Sequence, residues 1–80
     1  MKYYCWMQYY DNETHKQTSS DEIKYADGHQ HGVQPTQRDW DECLADLIVK
    51  VNDVREKAGL PPLPAETIQA GAERKTRSEH

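Results

Sequence analysis

Residues 37–58 read QRDWDECLADLIVKVNDVREKA, and the reading of this stretch decides how the rest of the chain is arranged. At ~100° per residue, Trp40, Cys43, Leu44, Leu47, Ile48, Val51, Val54 and Ala58 fall within one arc of about 140°. That is the periodicity of an amphipathic helix about 33 Å long. Thr36 is a suitable N-cap, with Asp39 placed to complement the free amides of the first turn. Gly59 suits a left-handed stop, and Pro61 and Pro62 forbid continuation. Arg55 and Lys57 lie in the last turn, where positive charge is favoured.

The opposite side of this helix has its own spacing of three and four: Asp39, Glu42, Asp46, Val49, Asp53, Glu56. Five acids flank one apolar residue. Like charges at this spacing cost an isolated helix ~0.2–0.5 kcal/mol per pair. Lys50 and Lys57 relieve part of that as i,i+4 partners of Asp46 and Asp53. Most charged helix faces are simply solvated. An acidic row with an apolar residue at its centre is also what a basic partner surface requires, so Asp39, Glu42, Asp46, Val49 and Asp53 are candidate partner-binding residues.

Working outward, residues 2–10 (KYYCWMQYY) alternate in the manner of a half-buried strand. Tyr3, Cys5, Met7 and Tyr9 share one side, suited to packing on the helix. Lys2, Tyr4, Trp6, Gln8 and Tyr10 share the other. A helical reading would instead group Tyr3, Trp6, Met7 and Tyr10. Tyr4, Trp6 and Tyr10 are candidate anchors for a protein partner, because aromatic rings are enriched in binding hot spots. In a chain with so few apolar residues, burial beneath the C-terminal segment or a dimer mate is the preferred reading of the same rings.

Asp11-Asn12-Glu13 reads as a turn, with residues 15–18 returning as a second strand before a polar break at Ser19-Ser20. Residues 22–26 and 29–33 flank Asp27-Gly28, a dipeptide preferred in two-residue hairpins. A short helix capped by Ser20 and ended by Gly28 fits these residues as well. Leu60-Pro-Pro-Leu-Pro64 reads as a helix stop and rigid linker. Its Pro-x-x-Pro spacing lacks the basic flank that such recognition segments commonly carry. Residues 65–80 read as a polar tail, loosely helical or disordered. The expected fold is α+β: a small antiparallel sheet or hairpins over residues 2–33, packed on the helix of residues 37–58. Residues 1–64 would form a single small domain.

Eighty residues allow one domain, which buries only ~60–65% of the surface its unfolded chain exposes. With 35% hydrophobic and 30% charged residues, the core is thin, and a homodimer pooling two cores is the remedy this composition invites. The net charge of −4, from 14 acidic and 10 basic residues, with no basic stripe, argues against nucleic acid as a partner. No apolar run approaches the ~18 residues of a membrane span. The N-terminus is not patterned as a signal peptide, and two cysteines do not make a secreted disulfide framework, which places the expected compartment in the cytosol with reduced thiols.

No motif names a reaction or a cofactor. His29 and His31 would share one face of a strand and are weak zinc candidates, since neither a Cys-x-x-Cys nor a His-x-x-x-His pair supports them. In kind, a short acidic chain without a catalytic motif resembles small phage-encoded inhibitors and other accessory proteins. The expected function is a non-enzymatic interaction module that contacts a basic or mixed surface of a larger protein. The alternative is a small-ligand or metal-binding protein using His29, His31 and the N-terminal aromatics.

Overall fold

The alternating residues near the N-terminus form a strand that becomes the centre of the molecule. In a computed structural model describing residues 2–27 and 34–79, strand β1 spans Lys2–Asp11. It pairs antiparallel with β2 (Lys16–Ser19), β3 (Ile23–Asp27) and β4 (Glu73–Glu79). Residues 2–5 pair with both β3 and β4, and Gln8 pairs with both β2 and β4. Therefore β2 and β3 lie end to end along one edge of β1, and β4 takes the other. Where β2 breaks before β3, Ser20 keeps the edge satisfied. Its amide donates to the Met7 carbonyl at 2.9 Å, and its hydroxyl accepts from the Met7 amide at 2.8 Å. The loop between β1 and β2 is closed by Asp11, whose carboxylate accepts from the Glu13 amide and whose carbonyl accepts from His15.

Helix α1 spans Gln37–Lys57 and is capped as its sequence demands. The Thr36 hydroxyl accepts from the Asp39 amide at 3.2 Å, and the Asp39 carboxylate accepts from the Thr36 amide at 2.8 Å, a reciprocal capping box. At the other end the Leu60 amide reaches the Arg55 carbonyl at 2.9 Å and the Gly59 amide reaches Glu56 at 3.0 Å. This Schellman closure holds Gly59 at φ +78°. A Cβ there would touch nothing, so Gly59→Ala meets only backbone strain. It is expected to lower the stability measured by urea unfolding by about 1 kcal/mol.

The buried stripe of α1 is Trp40, Cys43, Leu47, Val51 and Arg55. It lies on the sheet face that carries Cys5 and Met7, with Tyr9, Ile23, Leu44 and Ile48 packed around the contact. This is the helix-on-sheet arrangement the two periodicities imply, and the fold is α+β. The stripe ends differently from its apolar pattern: Ala58 is exposed, Val54 is half-buried, and a cation, Arg55, is 2% exposed. The guanidinium meets the buried Asp11 carboxylate at 2.9 Å and Glu13 at 3.0 Å, and its Nε donates to the Pro61 carbonyl at 2.8 Å. A residue read as a partner of the helix dipole is thus the tie between the helix end and the β1–β2 loop.

The C-terminal residues also depart from expectation. Instead of a loosely helical or disordered tail, residues 65–71 form helix α2 (Ala65–Gly71), whose Ile68 is wholly buried in the core, and 73–79 form β4. Gly71 lets the chain pass close to Tyr9: a Cβ there would stand 2.8 Å from the ring and force it to shift. Residues 22–26 are largely in strand β3 and pair with β1. The turn at Gly28 and its second arm, including His29 and His31, lie outside the described residues.

Candidate partner-binding surface

The outer side of α1 faces away from the sheet, and the acids along it do different work. Asp39 is engaged in the capping box. Asp46 accepts from the Asp21 amide at 2.7 Å and from Lys50 at 3.0 Å, and Lys50 also reaches Asp21 at 2.6 Å. The Asp21 amide, aided by Lys50 and opposed by partial burial, holds the Asp46 carboxyl below its usual range. Asp46 therefore fastens the segment between β2 and β3 to the helix. Glu42 pairs with Arg38 at 3.4 Å and Asp53 with Lys57 at 2.9 Å, both exposed i,i+4 contacts. Such contacts contribute little to stability and exchange readily for a partner's charge.

Val49, at the middle of this row, is 68% exposed. It stands on the rim of a groove of about 650 Å³ lined by Ile48, Val49, Asn52, Asp53, Glu56, Leu60 and Pro62. The far wall exists because the segment after α1 turns back along the helix. Asn52 acts as a clamp: its carbonyl accepts from the Leu63 amide at 2.9 Å and its amide donates to the Leu63 carbonyl at 3.3 Å. Arg55 holds the Pro61 carbonyl from below, and Leu63 packs against the core. The Pro-x-x-Pro stretch is thereby strapped to the helix, with Leu60 and Pro62 turned to the groove.

The structure thus brings Val49 and Asp53 together with Glu56, Ile48, Leu60 and Pro62, and leaves Asp39 and Asp46 in structural contacts and Glu42 outside the groove. Sequence reading missed the wall at Leu60 and Pro62. The signal available was Asn52, a polar residue that could face a returning chain, but nothing in the linear order required that return.

The three aromatic candidates lie elsewhere. Directly opposed residues of antiparallel strands share a face, so Tyr4, Trp6 and Gln8 stand beside Arg77, Lys75 and Glu73 of β4 on the side away from the helices. The C-terminal segment adds a strand beside these rings and does not lie over them. Arg77 stacks on the Tyr4 ring with 4.3 Å to its centroid and pairs with Glu22 and Glu79, each at 2.6 Å. Glu22 precedes β3, so this pair bridges over β1 and half-covers Tyr4. Trp6 is half-buried and Tyr10 is 52% exposed. Lys75 pairs with Glu73 at 3.2 Å. The two β4 cations beside these rings, Arg77 and Lys75, are thus both held by acidic partners. This face is on the reverse of the sheet from the groove, so a single flat partner surface does not reach both sets of residues.

The two cysteines are neighbours. Cys5 and Cys43 are buried with their sulfurs 4.0 Å apart, and the Cys43 thiol lies 3.7 Å from the Cys5 carbonyl oxygen. Burial, reinforced by Cys43, pushes the Cys5 thiol up to about 12, and burial also raises Cys43. Neither is an activated nucleophile. Among the described residues no group of three His, Cys, Asp or Glu side chains converges as metal ligands would, and no helix is long and apolar enough to cross a membrane.

Compared with protein-family models, with curated proteins and with solved structures, the chain finds no match. What can be said of its class therefore rests on its own geometry. It is a small α+β domain with one long helix on an antiparallel sheet and, on the helix's outer side, a groove lined by Asp53 and Glu56 and walled by Leu60 and Pro62.

Proposed function

We propose that this chain is a non-enzymatic interaction module. Its groove along α1 takes an extended or helical segment of a larger protein that presents apolar side chains flanked by Lys or Arg. The observation carrying this reading is a groove in which exposed Val49, followed along the helix by Asp53 and Glu56, faces an apolar wall of Leu60 and Pro62, with Ile48 also lining it. An apolar anchor needs such a wall, and the carboxylates select cationic neighbours by charge complementarity.

Selection from a random peptide library on the immobilised protein tests it. Enriched peptides are expected to combine aliphatic or aromatic residues with at least two basic ones and to bind less tightly as ionic strength rises. The double variant Asp53→Lys, Glu56→Lys is expected to weaken them by about tenfold or more, which corresponds to ~1.4 kcal/mol. Glu42→Lys, outside the groove, should leave binding within about twofold, since an exposed charge a turn or more away is largely screened. Enrichment of acidic or purely polar peptides, or indifference to the double variant while its circular dichroism is unchanged, would remove the proposal. Asp46 is excluded from the reversal, because its contacts with Asp21 and Lys50 belong to the fold.

A further inference from the structure

We propose that Cys5 and Cys43 form a site for an intramolecular disulfide, closed by oxidants of the glutathione-disulfide class, which fastens α1 to β1. These are the chain's two cysteines. They lie 38 positions apart on different elements, yet both face the same contact between strand and helix. Their sulfurs are 4.0 Å apart. A disulfide bond is ~2.05 Å long, so each sulfur has to travel only about 1 Å, within reach of small side-chain rotations. The two thiols already face one another within the buried cluster that includes Met7 and Leu47, with the Ser20 side chain beside Cys43. A glutathionyl group has no room in that core, so a mixed disulfide is resolved by the neighbouring thiol or expelled.

The chemistry is thiol–disulfide exchange in two steps. The thiolate of one cysteine attacks a sulfur of glutathione disulfide. A protein–glutathione bond forms, the glutathione S–S bond breaks, and the departing thiolate takes up a proton. The second cysteine, losing its proton to solvent, then attacks the protein sulfur of that mixed disulfide and releases the second glutathione. Two protein thiols are oxidised and one glutathione disulfide is reduced to two thiols. Burial keeps the thiolate rare and out of reach in the closed fold, so the first step belongs to transient opening or to folding itself. The resulting crosslink spans β2, β3 and the start of α1. It restricts the unfolded chain over that whole loop, which is where a disulfide acts most strongly.

The test refolds the protein from urea into mixtures of reduced and oxidised glutathione, so that burial does not limit access. Wild type is expected to lose about 2 Da in intact mass, the two hydrogens of the exchange. It should take up neither alkylating agent nor glutathione and yield a linked Cys5–Cys43 peptide on digestion. Its urea midpoint should rise by roughly 2 M over the reduced protein and return on reduction. Cys5→Ser and Cys43→Ser should show no such rise. Two alkylatable thiols in refolded wild type, glutathione adducts, or disulfide-linked dimers would overturn the proposal. So would a crosslink that lowers the midpoint. The wild-type peptide map decides the matter even if a serine variant does not fold.

Discussion

A chain ending after Pro64 is expected to lose cooperative unfolding altogether. The cut removes Ile68, whose burial contributes ~1.5–3 kcal/mol, and the whole of β4. That strand is in register with residues 2–8 of β1 over seven consecutive pairs. Ladder hydrogen bonds contribute ~0.5–1.5 kcal/mol each after exchange with water. A domain of this length has in total only ~4–12 kcal/mol of stability. The loss is therefore comparable with the whole. Circular dichroism during a thermal ramp should show a shallow, non-sigmoidal change for the truncated chain where the intact one melts sharply. A sharp melt at an unchanged temperature would mean that β4 and α2 are peripheral. The single substitution Ile68→Ala should fall between, at about 2–5 kcal/mol by urea unfolding.

Asp11→Ala is expected to be nearly as damaging. Asp11 is 5% exposed and shares its ion pair with a fully buried guanidinium. Removing one partner from a buried ion pair costs about 3–5 kcal/mol when the other charge is left alone; Arg55 keeps Glu13 at 3.0 Å, so the lower end of that range is expected. Replacing both at once, Asp11→Leu with Arg55→Met, should recover most of the loss in urea unfolding. If the double variant is no better than the single, the damage comes from the loop that Asp11 closes and not from the stranded cation. The same pair shapes the response to acid. Burial raises the Asp11 carboxyl, but the Arg55 hydrogen bond and the amides of Glu13 and Thr14 outweigh it, leaving the group below its ordinary value. A carboxyl lowered in the folded state lends stability that is fully present above its unfolded value near ~4. That stability falls away as pH drops through the folded value. Wild type should therefore lose midpoint on acidification below pH ~4 more steeply than the double variant.

Much of this architecture was legible in the linear sequence, and what was not has identifiable physical causes. The helix announced itself through Thr36, Asp39, Gly59 and the prolines, local signals that tertiary contacts do not override. The alternation of Cys5 and Met7 with Tyr4 and Trp6 correctly divided β1 into a packed and an outward face. Strand β4 was illegible because ERKTRSE has no apolar alternation. It lies at an edge with one face open, and its extended form is imposed by the vacant edge of β1, whose pairing residues lie at the other end of the chain. Arg55 was misread for a similar reason. A cation in a helix's last turn is usually solvated, and its burial depends on Asp11, 44 positions away. The acidic stripe was visible, but not the division of labour within it. Whether an acid is engaged, as Asp46 is by the Asp21 amide, or stands at a groove, as Asp53 does, depends on the chain's return after each element.

The position of β1 between partners from both ends of the chain has a consequence for how the protein comes into being. The β1–β2 hairpin and α1 close short loops and form quickly, whereas Tyr4 and Glu79, which touch across the finished sheet, are 75 positions apart. Closing so long a loop makes docking of β4 a late event. Until then residues 2–8 present a bare edge carrying Tyr and Trp, the kind of template on which chains stick to one another. During synthesis the hazard lasts until residues 73–79 have emerged, so yield of native protein should depend on growth temperature and expression rate more than its final stability suggests.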